Sequence, residues 1–327
     1  MREFIISLFN TVAVIVIGLG LITVATLFVL WLRFFFGRLR DDRIWRKIKS
    51  STTKIDVSFV AEVSVLPLFE WNTVSGKYHG NAGVSYLLEI DGKKVLFDLG
   101  DNPGRLRPSP LYHNMKVAGF EPDQLIAELS ALVLSHHHPE HIGGGKLFNG
   151  REPNFDISLE NVTTYKPWNG TTEGISPGEI LPGVALSAPL PGRTFLSGRI
   201  WEWMMLIHLA DKGLVCVAGD AHPDPIRMLL HASALTGIKP YAYVGGLHAL
   251  LPDALGLYGQ LRIGQRPPWK RREPEEIGLL AVGLQELGVK KLYLSGHDSD
   301  EMSLGIIQTV YGDDMRVLQV GEKIVVG

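Results

Sequence analysis

A chain of 327 residues, 46% of them hydrophobic, is long enough to bury one large core. Its formal net charge of -2 gives no electrostatic footing for nucleic acid, so no nucleic-acid partner is expected and a small molecule is favoured. The single cysteine, Cys216, excludes an internal disulfide framework; within the apolar run Leu214 to Ala218 it reads as a buried strand residue in a reducing compartment.

From Phe4 to Leu32 no residue is charged, and the 21 residues Val12 to Leu32 would span about 30 Å as a helix, one bilayer core. No small-x-small cleavage site follows. Instead come Arg33, Arg38, Arg40, Arg43, Arg46, Lys47 and Lys49, with Trp31, Phe34 to Phe36 and Trp45 as interfacial aromatics. Residues 1–32 therefore read as a transmembrane helix in the cell membrane, its partner the lipid bilayer. The basic excess after it predicts that the following domain lies on the cytoplasmic side. Residues 33–54 read as a basic amphipathic tether able to lie on anionic headgroups, and residues 55–327 as one folded domain.

In that domain, short apolar runs predict strands at Val57 to Val65, Val84 to Ile90, Lys94 to Asp98, Ala131 to Ser135, Trp203 to His208, Leu214 to Ala218, Tyr241 to Val244 and Lys291 to Ser295. Helices are predicted at Pro110 to Val117, Pro122 to Glu128, Asp224 to Thr236 and Glu273 to Leu287. Strands punctuated by helices give an α/β class with two packed sheets flanked by helices.

The most informative stretch follows the run Ala131 to Ser135: His136-His137-His138-Pro139-Glu140-His141, then Gly143 to Gly145. Imidazole and carboxylate suit zinc first, with iron or manganese as alternatives, and the glycines allow the sharp turn that convergence needs. His136 and His138 leave an extended segment on one side, while Glu140 and His141 can face a second ion. A second strand end delivers Asp220 and His222 together. Asp98 ends a buried strand, where a charge is costly unless it holds a partner, so it is expected to support the histidine loop. Helix capping is the bland alternative for Asp220, and turn capping for Asp98.

The run His136-x-His138-x-Glu140-His141 resembles the HxHxDH signature of the metallo-beta-lactamase superfamily, with Glu for the usual Asp. It is similar in particular to the subfamily of dihydropterin-methyl-ribofuranosylaminobenzene phosphate synthase-like metal-dependent hydrolases. Val95 to Gly100 resembles the family's LLFDTG, Gly219-Asp220 its GD, and His222 the histidine of the subfamily's GCSHxG. Tyr243 to His248 resembles GGFH, and Gly296-His297 the start of GHCTG, with Asp298 and Ser299 replacing Cys and Thr. The resemblance covers nearly everything after the tether. It implies a four-layer αββα sandwich and one or two divalent ions held by His136, His138, Glu140, His141, Asp220, His222 and His297. It also implies catalytic parts for Glu140, Asp220 and His248, and an activated water acting on a small anionic substrate. A synthase-type transferase of pterin metabolism and a non-catalytic metal-binding domain are the alternatives. An extra basic segment, Leu250 to Arg272, would either cover the pocket or lie in solvent or on the membrane.

Overall fold

The computed structural model describes residues 1–144, 153–168, 177–251, 263–270 and 272–327, the side chain of residue 5 excepted. The first helix, α1 (Arg2–Ser51), is one unbroken helix. Its apolar part has a mean hydropathy of 2.8, and none of that stretch is buried against the protein, so this helix is long and apolar enough to cross a membrane. Hydropathy changes at Leu32, but helix propensity does not. The expected tether is therefore the continuation of α1.

Antiparallel and parallel pairing build a six-stranded sheet in the order β17-β1-β3-β4-β5-β6. Its strands are β1 (Val63–Phe69), β3 (Ser85–Ile90), β4 (Lys93–Phe97), β5 (Leu129–Val133), β6 (Thr164–Tyr165) and β17 (Ile324–Val325). A seven-stranded sheet runs β15-β14-β13-β12-β11-β8-β7. It uses β7 (Gly178–Leu181), β8 (Val184–Leu186), β11 (Met205–Leu209), β12 (Gly213–Ala218), β13 (Pro240–Gly245), β14 (Lys291–Leu294) and β15 (Met315–Val317). Two ribbons complete the set: β9 (Leu190–Thr194) with β10 (Gly198–Glu202), and β2 (Asn72–Thr73) with β16 (Gln319–Val320).

Four helices start on proline, whose fixed φ suits a first turn that has no use for its N–H. They are α2 (Pro110–Val117), α3 (Pro122–Ala127), α4 (Pro225–Thr236) and α5 (Pro274–Glu286). A sixth helix, α6 (Glu301–Tyr311), is capped by the Asp300 side chain. Inward residues of both sheets, among them Val63, Tyr86, Phe97, Val133, Met205, Val217 and Val244, form one core between them. The outer face of the first sheet packs with α2 and α3 through Leu96, Leu132, Leu111 and Leu125. The outer face of the second packs with α4, α5 and α6 through Cys216, Leu292, Leu229, Ala281 and Ile307. The layers are thus αββα, as the resemblance implies.

Several elements differ from the sequence expectation. The strand expected at Val57 to Val65 starts at Val63; before it, Val60 makes only an isolated bridge to Leu209. Short strands between Thr164 and Glu202, and helix α6, were not predicted. These strands are two to five residues long, too short for an alternation to stand out.

The basic half of α1 packs on the β9–β10 ribbon. Asp41 sits between Arg193 and Arg199 at 2.5 Å from each Nε, and Asp42 pairs with Arg227 of α4 at 2.8 Å. Phe34 is buried with its ring 5.5 Å from Phe195.

Candidate metal centre

Strand ends place the chemistry. β4 and β5 run parallel in one sheet, as do β12, β13 and β14 in the other, and their C-terminal ends meet at one edge of the sandwich. From these ends come Asp98, the loop His136 to His141, the pair Asp220 and His222, His248, and His297. Trp203 ties the sheets together there, donating its indole N–H to the Leu134 carbonyl at 2.9 Å. Gly219 permits the closest approach, because a Cβ there would lie 2.3 Å from Ser135 Oγ.

Two groups of potential ligand atoms result, each within 4.8 Å of one another: His136, His138, Asp220 and His222 in the first, His141, Asp220 and His297 in the second. Asp220 is common to both, one oxygen to each. Its Oδ2 is 3.5 Å from His136 Nε2 and 3.8 Å from His222 Nε2. Its Oδ1 is 3.0 Å from His141 Nε2 and 2.8 Å from His297 Nε2. Two ligands on one tetrahedral zinc stand roughly 3.3 Å apart, so these separations bracket the required value.

The other ring nitrogens are tied down. Ser135 Oγ donates to Asp98 Oδ2 at 2.6 Å and so accepts from His136 Nδ1 at 2.9 Å. His141 Nδ1 donates to Asp98 Oδ2 at 2.7 Å, His222 Nδ1 to Glu202 Oε2 at 3.1 Å, and His297 Nδ1 to Ser295 Oγ at 2.5 Å. Each tautomer that follows leaves a lone pair on Nε2. Yet the Nε2 atoms of His136, His141, His222 and His297, and Asp220 Oδ1, are buried without a hydrogen bond of acceptable geometry. Orphaned polar atoms of this kind are costly in a protein interior unless an ion satisfies them. The donor set, neutral imidazoles with a shared carboxylate, fits one or two divalent cations.

Electrostatics separates the histidines of the centre. Burial, helped by neighbouring imidazoles, pushes the His136 and His138 pKa values well below the ordinary histidine range. Burial opposes ionisation of Asp220 and of the His141 and His297 rings, but where no ion is bound their mutual attraction prevails. Asp220 is held well below the carboxylate range, His141 is raised well above the histidine range and His297 to about 9, so a divalent cation would take the place of those protons. Asp98 and Ala221, at the roots of the two principal loops, take left-handed backbone angles with φ of 59° and 54°. Such conformations cost on the order of 1–3 kcal/mol each and persist where surrounding bonds enforce them.

Glu140 stands outside both groups. It occupies the middle of a single 3-10 turn, Pro139–His141, with its Oε1 3.5 Å from His138 Nδ1. The expectation that it joins the ligands is not met by this geometry. His248 is beside the centre, its ring 5.2 Å from that of His222, but belongs to neither group. Its Nε2 donates to the Ile263 carbonyl at 3.0 Å, which leaves a buried Nδ1 acceptor, and burial holds the ring neutral with a pKa of about 3.

Two buried glutamates were not singled out from the sequence. Glu202 accepts the backbone N–H groups of Asp220, Ala221 and His222 at 2.8 to 2.9 Å as well as the His222 ring. Glu70 accepts from Tyr86 Oη at 2.7 Å and from the Trp71 and Gly296 N–H groups. It thereby pins the loop before His297. Other histidines serve packing: His79 and His113 lie tilted against each other, His208 faces the Val57 and Ser58 carbonyls, and His231 packs on Trp45. Gly145, Gly256, Gly259, Arg262 and Arg271 lie outside the described residues.

The Metallo-beta-lactamase superfamily profile matches residues 80–162, which contain Asp98 and the loop His136 to His141. Over that segment the chain is similar to the Metallo-beta-lactamase superfamily. Its fold is similar to the crystal structure of Tm1679, a metal-dependent hydrolase of the beta-lactamase superfamily, with a TM-score of 0.53, 18% identity, and coverage of 80% of this chain and 98% of that one. The chain is also 23% identical over 292 residues to 7,8-dihydropterin-6-methyl-4-(beta-D-ribofuranosyl)-aminobenzene-5'-phosphate synthase of Methanocaldococcus jannaschii, covering 74% of this chain and 89% of that protein.

Proposed function

We propose that this metallo-beta-lactamase domain is a metal-dependent hydrolase, anchored in the membrane by α1 with the domain on the cytoplasmic side, acting on a small anionic substrate. The observation that carries the reading is Asp220, one carboxylate offering an oxygen to each of two ligand groups. His136, His138, His222 and Asp220 would hold one ion, and His141, His297 and Asp220 the other. Zinc bound there would act as a Lewis acid and bring the pKa of water from 15.7 to around 7.

The chain's own residues supply order. Asp98, Glu202 and Glu70 fix the loops through buried hydrogen bonds, so the ligands need little reorganisation. His248 presents a neutral Nδ1 beside His222 that can accept a hydrogen bond from a substrate. Hydrolysis adds water across the ester: oxygen bonds to carbon or phosphorus, the ester bond breaks, and the proton leaves with the alcohol.

The test is a panel of lactone, phosphodiester, phosphomonoester, thioester and beta-lactam substrates offered to zinc-reconstituted full-length protein. At least one should turn over, stop on chelation and resume on zinc addition; no turnover by a fully loaded protein contradicts the reading. The similarity to the archaeal synthase, which extends over most of both chains, supports a second reading as a pterin-joining transferase. Mass spectrometry of the purified protein showing a bound pterin would favour it.

A further inference from the structure

A cavity that touches one residue of the metal centre, His222, is built in part by the N-terminal helix. It measures about 460 Å³, and one wall is a single face of α1, where Trp31, Phe34, Phe35, Arg38 and Asp42 recur at helical spacing. The rest of the lining comes from β9, from His222 to Asp224 with Arg227, and from Gln265 to Pro267 with Lys270 and Arg272. There β9 lies so close that a Cβ on Gly192 would stand 2.5 Å from the His222 backbone. The cavity therefore extends from the level at which the apolar part of α1 ends, near Leu32, to the backbone side of His222, a residue of the first ligand group.

Wall chemistry changes along this path. Aromatic rings dominate where α1 leaves its apolar stretch, the place where aromatic side chains favour the membrane interface. Nearby, Trp269 is exposed, and its ring stands 5.8 Å from Phe195. Further along, Arg38, Arg227, Arg266, Lys270 and Arg272 contribute positive charge. Asp42 neutralises Arg227 at 2.8 Å and Glu276 neutralises Arg266 at 2.7 Å. Among the described residues no carboxylate pairs with Arg38, Lys270 or Arg272; Arg38 lies over the Phe34 ring, and Arg272 donates to the His248 carbonyl at 2.6 Å. On another side of α1 a second depression of about 630 Å³ gathers Arg33, Arg40, Arg43, Arg193 and Arg199, an arrangement that suits a surface of anionic headgroups.

A water-soluble anion has no use for an aromatic mouth at the bilayer, and a neutral lipid has none for unpaired cations. We propose that the substrate is an anionic, phospholipid-like amphiphile drawn from the membrane itself. Its acyl portion rests along Trp31, Phe34 and Phe35, and its phosphate-type head lies among Arg38, Lys270 and Arg272, directed at His222. That the head is then hydrolysed rests on the function proposed above; the lipid binding does not.

The test uses full-length, zinc-reconstituted protein in phosphatidylcholine vesicles doped with phosphatidic acid that bears a photoreactive diazirine on one acyl chain. Peptide mapping should find label on residues 31–35 and 265–270, undiminished by excess glycerol 3-phosphate. Arg38→Gln combined with Lys270→Gln, both at exposed positions, should lower that labelling about tenfold with metal content unchanged. Label confined to the helix before Trp31 would overturn the proposal, as would labelling unaffected by the double substitution. Displacement by glycerol 3-phosphate would overturn it in favour of a soluble anion. An absence of bound metal with labelling intact would instead count against the hydrolase reading alone.

Discussion

The loop after β5 and the loop after β12 solve the same problem with different means. Each must hold imidazole in a dry interior with Nε2 turned inward, and each does so through one buried carboxylate from another strand or its end. Asp98 acts mainly through side chains, taking Ser135 Oγ, the His141 ring and a single backbone N–H. Glu202 acts mainly on the main chain, taking three successive backbone N–H groups and the His222 ring. The first carboxylate aims side chains within a loop that glycines already turn; the second shapes the loop itself. Between them Asp220 joins the two halves of the centre.

The largest expected effect comes from removing that joint. Asp220→Ala should take bound zinc, measured by plasma mass spectrometry, from about two ions per chain to fewer than about one, because both groups lose a ligand. His138→Ala should remove about one ion and spare the group of His141 and His297; loss of both would mean that the groups are not separable. Glu202→Gln should weaken zinc retention about 10–100-fold in a chelator competition. It should also lower unfolding stability by about 3 kcal/mol, since an amide cannot accept all four donors and leaves some unpaired in the interior. Asp98→Asn should weaken zinc retention in the same range with a smaller loss of stability, and equal losses in the two variants would erase the contrast drawn between the loops. Glu140→Gln should change zinc stoichiometry by less than about one tenth of an ion, because its carboxylate lies outside both groups; a clear loss would restore it as a ligand.

The parts of the site that were legible in the sequence are those where a run of apolar residues ends abruptly in ligating side chains. His136 to His141 and Asp220 to His222 could be read this way because strand and loop are adjacent in the chain. Glu202 gave no such signal. It is one acidic residue between Trp201 and Trp203, and its partners lie eighteen to twenty residues away in the chain, beyond β11 and β12. Glu70 is similar: its link to the His297 loop spans 226 residues. Glu140 shows the converse, since nearness in sequence suggested ligation while its carboxylate stands in neither ligand group. The layered architecture followed from the order of strands and helices. The continuity of α1, however, was hidden because hydropathy marks where a helix leaves an apolar setting, not where its hydrogen bonds stop.

The most direct measurement is an anomalous-difference map from crystals of the zinc-reconstituted protein. The account predicts two peaks, one among His136, His138 and His222, the other between His141 and His297, with an oxygen of Asp220 facing each. A single peak bounded by Glu140, or none near Asp220, would contradict it.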